Sequence, residues 1–199
     1  MGQRNRSVSC ICTIRSKLVF STLAVKNLPA SVRKKASSIR LLLLDVDGVL
    51  TDGRIIIDDR GIETKHFHVR DGQGISFLKR CSIDVGFISG RRSEVVRHRA
   101  KDLGITLVVQ GVQDKLCVYD RIKKKTRLAD DQIAYIGDDV IDLPVLRAAG
   151  LAVTVSDGAA ELKPYADYIT LAPGGMGAVR EVAEILLKAQ KRWIALLPR

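Results

Sequence analysis

From residue 40 onward, short apolar runs alternate with stretches of helical periodicity, and that alternation sets the expected fold. Leu41 to Leu44 is a run of four leucines soon followed by Gly48, which reads as a strand buried on both faces. Two extended runs, Arg54 to Ile57 and Glu63 to Val69, flank the turn-forming Asp58-Asp59-Arg60-Gly61 and together predict a hairpin. A helix follows from about Gly72 to Cys81, then a strand from Val85 to Ile88. The next helix, Ser93 to Leu103, opens on a serine cap and closes at Gly104. Leu107 to Gln110 is a strand, and Asp114 opens a helix ending in Lys123-Lys124-Lys125, positive charge at the negative pole of the dipole. Ile133 to Ile136, Ile141 to Ala149 and Leu151 to Val155 continue as strand, helix and strand, and a last helix covers about Gly177 to Leu196. Strands separated by helices imply an α/β protein, a three-layer Rossmann-like parallel sheet covered on both faces, with one small β-hairpin insertion.

Composition changes this picture at one end of the chain. The formal net charge is +11, yet residues 1–40 hold nine Lys or Arg and no Asp or Glu, leaving 24 basic against 22 acidic residues in the rest. The basicity therefore belongs to a leader, residues 1–38, read as disordered and set apart from a folded domain at 39–199. An organellar targeting signal is the alternative for that leader. A nucleic-acid-binding or end-processing protein, the competing reading from another functional class, loses support from a nearly balanced body and an aromatic content of 5%. No 18-residue apolar run is present, so no membrane span is expected. Cys10, Cys12, Cys81 and Cys117 show neither paired metal spacing nor a secreted disulfide pattern, and a reduced cytoplasm is the expected setting.

In a parallel sheet, ligands gather beyond the carboxyl ends of the strands. The residues just past successive strands here are Asp45 and Asp47, then Ser89, then Asp114-Lys115 after a loop, then Asp138, Asp139 and Asp142. One sheet edge is thus expected to collect acids, a hydroxyl and an ammonium, a set suited to phosphoryl transfer. Asp45 is the candidate nucleophile, carrying the phosphoryl group between two displacements. Asp47, two residues on and facing the same way from an extended backbone, is the candidate acid and base. The gathered acids call for a hard dication such as Mg²⁺, with Asp138 the distal ligand, while Ser89 and Lys115 would neutralise phosphoryl oxygens.

Asp45-Val46-Asp47-Gly48-Val49, Ser89-Gly90, Lys115 and Gly137-Asp138-Asp139 with Asp142 resemble, in order and spacing, the four motifs of the haloacid dehalogenase superfamily of phosphatases. Phe67-His68-Val69-Arg70-Asp71-Gly72, Ser89-Gly90-Arg91 and the segment Gly174 to Glu181 narrow the resemblance to the branch acting on 3-deoxy-D-manno-octulosonate 8-phosphate. It covers about residues 40–190. It implies that Asp45, the main-chain oxygen of Asp47, and Asp138 hold Mg²⁺, with Asp139 and Asp142 in support. It also implies substrate contacts by Asp47, by His68, Val69, Arg70, Asp71 and Gly72, and by Arg91, Arg99 and Lys115. A guanidinium suits a sugar acid because it pairs with a carboxylate through two parallel bonds. Ser76 stands where the family can have a basic residue, which leaves a related nine-carbon sugar acid 9-phosphate as the alternative substrate. The resemblance further implies no large cap domain and a homotetramer. The hairpin agrees, since two short strands cannot bury Ile55, Ile57, Ile62 and Phe67 alone and would pack against the same hairpin in other copies.

Overall fold

The computed structural model describes residues 28–196, so most of the expected disordered leader, residues 1–27, lies outside the described residues. The remainder of that leader is folded, and the boundary at residue 39 is corrected. Helix α1, Ala30–Ser38, buries Val32 and Ala36, while Leu28 and Ile39 beside it are also buried. Two apolar side chains four residues apart form a sufficient stripe when a packed helix lies beneath them. The Lys and Arg around them face outward.

Strand β1, Leu41–Leu44, is wholly buried and has β4, Asp84–Ser89, on one side and β6, Ile133–Gly137, on the other. Beyond β4 lies β5, Leu107–Gln110, and beyond β6 lie β7, Leu151–Thr154, and β8, Tyr168–Ile169. All six strands are parallel. The four leucines show why helices must cover both faces: Leu42 and Leu44 point into one core, Leu41 and Leu43 into the other. The first core is roofed by α1, by α2, Val69–Arg80, by α3, Glu94–Asp102, and by α6, Ala178–Ala189. The second is roofed by α4, Lys115–Thr126, and α5, Leu143–Ala148. No helix among the described residues is long and apolar enough to cross a membrane.

The expected hairpin is present but shorter. Its strands are β2, Ile56–Ile57, and β3, Glu63–Thr64, paired antiparallel, with the Asp58 carboxylate accepting N–H bonds from Arg60 and Ile62 in the turn. Beyond Thr64 the ladder ends because Lys65 is drawn inward, and Val69 begins α2 instead of ending a strand. Phe67, expected to lack cover, packs against the first core beneath the Arg99 guanidinium, 5.4 Å from its ring centroid. The last helix stops at Ala189, not near Leu196. The Gln190 amide turns back to donate to the Ala36 and Ile39 carbonyls, and Lys191 takes a left-handed φ of 58°.

Candidate active site

The strand order places the site. From β1 the chain steps to β4 and β5 on one side, then returns to β6 on the other, so a crevice opens at the carboxyl ends of β1, β4 and β6. A cleft of roughly 240 Å³ occupies it, walled by Asp45, Asp47, Ser89, Gly90, Arg91, Asp138 and neighbours.

Asp45 extends β1 by one backbone bond, its N–H donating to the Ile136 carbonyl at 3.0 Å. The chain then turns at Val46, whose carbonyl accepts from Leu50 and Thr51, with Gly48 at a φ of +87°. Any side chain at Gly48 would collide with Asp138, since a Cβ there would sit 2.0 Å from Asp138 Oδ2. Lys115, the first residue of α4 and almost wholly buried, places Nζ 3.1 Å from Asp45 Oδ2 and 2.6 Å from Asp142 Oδ1. Asp142 has no free oxygen: Oδ1 also receives the Tyr135 hydroxyl at 2.5 Å, and Oδ2 accepts from the backbone N–H groups of Asp138 and Asp139. Asp139 is exposed and accepts from the Val140 N–H. Ser89 is buried at the end of β4, its Oγ accepting from the Arg91 N–H at 3.3 Å.

Asp45, Asp138 and Asp142 each offer an oxygen within 4.8 Å of the others. Both Asp45 Oδ1 and Asp138 Oδ1 are buried without a hydrogen-bond partner. Buried acceptors left this way are costly unless a cation takes them. Burial pushes Asp45 up to about 6, with Lys115 pulling back, and burial together with the Asp45 and Asp142 charges pushes Asp138 up to about 8. Burial alone would lower Lys115, but the two carboxylates it faces hold it above its ordinary value. Two orphaned oxygens in an all-carboxylate cluster fit a hard dication such as Mg²⁺.

The Asp47 side chain does not join that cluster as the extended-backbone argument expected. The turn after Val46 points it instead at Lys65, with which it forms a close ion pair, and at Arg91, 3.6 Å away. Lys65, fully buried, also lies 3.2 Å from Glu63 Oε1, and Arg91 lies 2.9 Å from the same oxygen. Lys65, Glu63 and Tyr135 went unforeseen. Glu63 and Lys65 share one side of an extended segment, a signal that was readable, whereas a tyrosine inside a buried strand carries none.

The expected substrate set is divided. Asp47 and Arg91 line the cleft and Lys115 stands behind Asp45. His68 caps α2, Val69 and Arg70 are exposed, and Gly72 is buried against Arg99, where a Cβ would meet Nη2 at 2.4 Å. Asp71 lies away from the cleft lining: it is fully buried, and both of its oxygens accept backbone N–H groups at the start of α6.

The sheet order and the carboxylate-lysine cluster define a hydrolase of the haloacid dehalogenase type, and a sequence model of the family described as haloacid dehalogenase-like hydrolase matches residues 104–179. The 3-deoxy-D-manno-octulosonate 8-phosphate phosphatase KdsC of Escherichia coli (strain B / BL21-DE3) is 48% identical over 161 residues, 81% of this chain and 86% of that protein. The crystal structure of the phosphatase of that name from Yersinia pestis superposes with a TM-score of 0.81 at 47% identity, covering 82% of this chain and 88% of that one. The one from Moraxella catarrhalis, solved with magnesium ion, phosphate ion and KDO, gives a TM-score of 0.81 at 45% identity, covering 82% and 94%. The chain belongs to this family of 3-deoxy-D-manno-octulosonate 8-phosphate phosphatases.

Proposed function

We propose that this protein hydrolyses 3-deoxy-D-manno-octulosonate 8-phosphate to the free sugar acid and inorganic phosphate, with Mg²⁺ as cofactor and Asp45 as the residue that carries the phosphoryl group. An Asp45 oxygen attacks phosphorus, the bond to the sugar oxygen breaks, and Asp47 gives that oxygen its proton; water then attacks the aspartyl phosphate and returns a proton to Asp47. Lys65 and Arg91 fix where the Asp47 carboxyl points. Lys115 neutralises charge on the phosphoryl oxygens, and Asp142, saturated by four donors, holds Lys115 in place. Asp45, Asp138 and the main-chain oxygen of Asp47 would hold the Mg²⁺, which would supply neutralisation of phosphate charge. Arg91, half-exposed on the cleft wall, is suited to the sugar carboxylate.

The pair of orphaned oxygens on Asp45 and Asp138, beside the Lys115 ammonium, is the observation that carries this reading. We further propose that the enzyme acts in the cytoplasm as a homotetramer, with the hairpin of one copy covering the cleft of another and the exposed Val69 and Arg70 approaching a neighbour's substrate. Phosphate release across a panel of eight- and nine-carbon sugar acid phosphates tests the substrate, with the octulosonate expected to give the highest kcat/KM. Asp45→Asn is expected to remain folded and lose several orders of magnitude of turnover, because uncatalysed phosphate monoester hydrolysis is so slow. A fully active variant would refute the mechanism.

A further inference from the structure

Asp71 does work that its expected substrate role does not account for. It sits in the first turn of α2 with no exposure, yet its partners belong to α6, more than a hundred residues later. Oδ2 accepts from the Gly177 N–H at 3.2 Å and Oδ1 from the Arg180 N–H at 2.7 Å. These are N–H groups that the start of a helix leaves without intrahelical partners, and a carboxylate there also meets the positive end of the dipole. Burial still pushes the Asp71 carboxyl up against the pull of those two bonds, so a carboxylate at this position is costly to keep.

The segment it fixes leads back to the active site. Just before α6, Gly174 and Gly175 lie against the loop that follows Asp45. The Gly175 N–H donates to the Val49 carbonyl at 3.0 Å, and the Gly174 N–H to Asp157 Oδ1 at 2.9 Å. A Cβ on Gly174 would fall 1.8 Å from the Gly48 carbonyl oxygen, and one on Gly175 2.4 Å from the Thr51 carbonyl carbon. Gly48 in turn touches Asp138, with no room for a side chain between them. Two backbones are thus stacked without intervening side chains, and the second bears directly on the Asp138 carboxylate, which carries an orphaned oxygen.

We propose that Asp71 is a positioning residue for the metal site: by clamping the start of α6 it holds Gly174 and Gly175 against the Asp45 loop, and that loop sets Asp45 and Asp138 at the separation the ion needs. The proposal rests on the reading of Asp45 and Asp138 as Mg²⁺ ligands. Groups that orient metal ligands from outside are worth about tenfold to a hundredfold in affinity or turnover.

The test measures Mg²⁺ binding calorimetrically on chelator-treated protein, beside kcat, KM and Tm, for Asp71→Asn, Gly174→Ala and Val182→Ala. Val182 is buried in the middle of α6, so its truncation loosens the helix without touching the clamp. Asp71→Asn is expected to bind Mg²⁺ about tenfold more weakly and to lose kcat, with KM for the phosphate ester within about twofold. Gly174→Ala, which keeps Asp71 but forces the backbones apart, is expected to show the same pattern and decides the matter if Asp71→Asn does not fold. Val182→Ala is expected to lower Tm and leave Mg²⁺ affinity unchanged. The proposal is overturned if Asp71→Asn lowers Tm but binds Mg²⁺ as wild type does, or if it raises KM alone, which would return Asp71 to the substrate. Wild-type protein that binds no Mg²⁺ would defeat the reading of the site rather than the clamp. Binding Mg²⁺ without hydrolysing the octulosonate ester would defeat only the substrate.

Discussion

Asp45 and Asp138 are placed where neither can easily be ionised alone, and that fixes how the site should respond to pH. Both carboxyls are raised from 3.8 in the folded chain, Asp45 to about 6 and Asp138 to about 8, chiefly by burial. A folded-state pKa above the unfolded one contributes stability that is complete below about pH 4 and is lost as pH rises through the folded values. Metal-free protein should therefore lose stability between about pH 4 and 8 on account of these two groups. Mg²⁺ replaces the protons, so the Tm gained on adding it should be larger at pH 8.5 than at pH 5.5, by several degrees. Differential scanning fluorimetry with and without a chelator reads this directly, and an equal gain at both values would contradict it. These residues were legible in the sequence because each acid or base follows a recognisable strand. Lys65 was not, since a lysine in a surface hairpin ordinarily stays solvated, and only the folded chain brings it under Asp47. Asp71 was visible, but nothing local shows that its partners are two N–H groups at the start of α6.

Among the elements, α1 carries the clearest consequence. Val32 and Ala36 lie under it against α6, and Leu28 precedes it into the same core. Cutting the chain at residue 39 would forfeit the burial of Leu28 and Val32, roughly 3–6 kcal/mol, a large share of an ordinary domain's stability. A chain beginning at Leu28 is expected to keep Tm, kcat and KM, with kcat within about twofold. One beginning at Ile39 should lose much of its Tm or fail to fold, and thermal melts of the two would show which boundary holds. The sequence hid α1 because an acid-free stretch rich in Ser, Arg and Lys has the composition of a disordered leader, and its two apolar contacts mean something only once α6 is present. The strands β1, β4, β5, β6 and β7 were readable to within one or two residues, since runs such as Leu41–Leu44 can hardly be anything but interior. β8 was missed, being two residues long and held as much by the Tyr168 hydroxyl on Glu181 as by its ladder.

At the scale of the whole molecule, a cleft that must exclude water is left open by its own chain. The hairpin is the one insertion beside the first motif, and its β2–β3 ladder is two residue pairs long, too small to act as a stable independent lid. Ile55, Ile57 and Ile62 are each more than half exposed on it. Three such side chains on one ribbon form the kind of patch that a soluble protein covers with a partner. In the proposed homotetramer, a second copy of the same hairpin would be that partner, in an arrangement that closes by symmetry. Exclusion of bulk water strengthens every charge interaction around Asp45 and Lys115, so assembly and turnover should fail together. Ile55→Asp with Ile57→Asp is expected to give a smaller species that keeps its fold, since neither residue touches the core, and to lower kcat/KM by roughly tenfold or more. Light scattering beside the phosphate-release assay measures both effects on one sample. A monomer with full activity would show that one copy suffices to shield the site and that the exposed isoleucines serve some other contact.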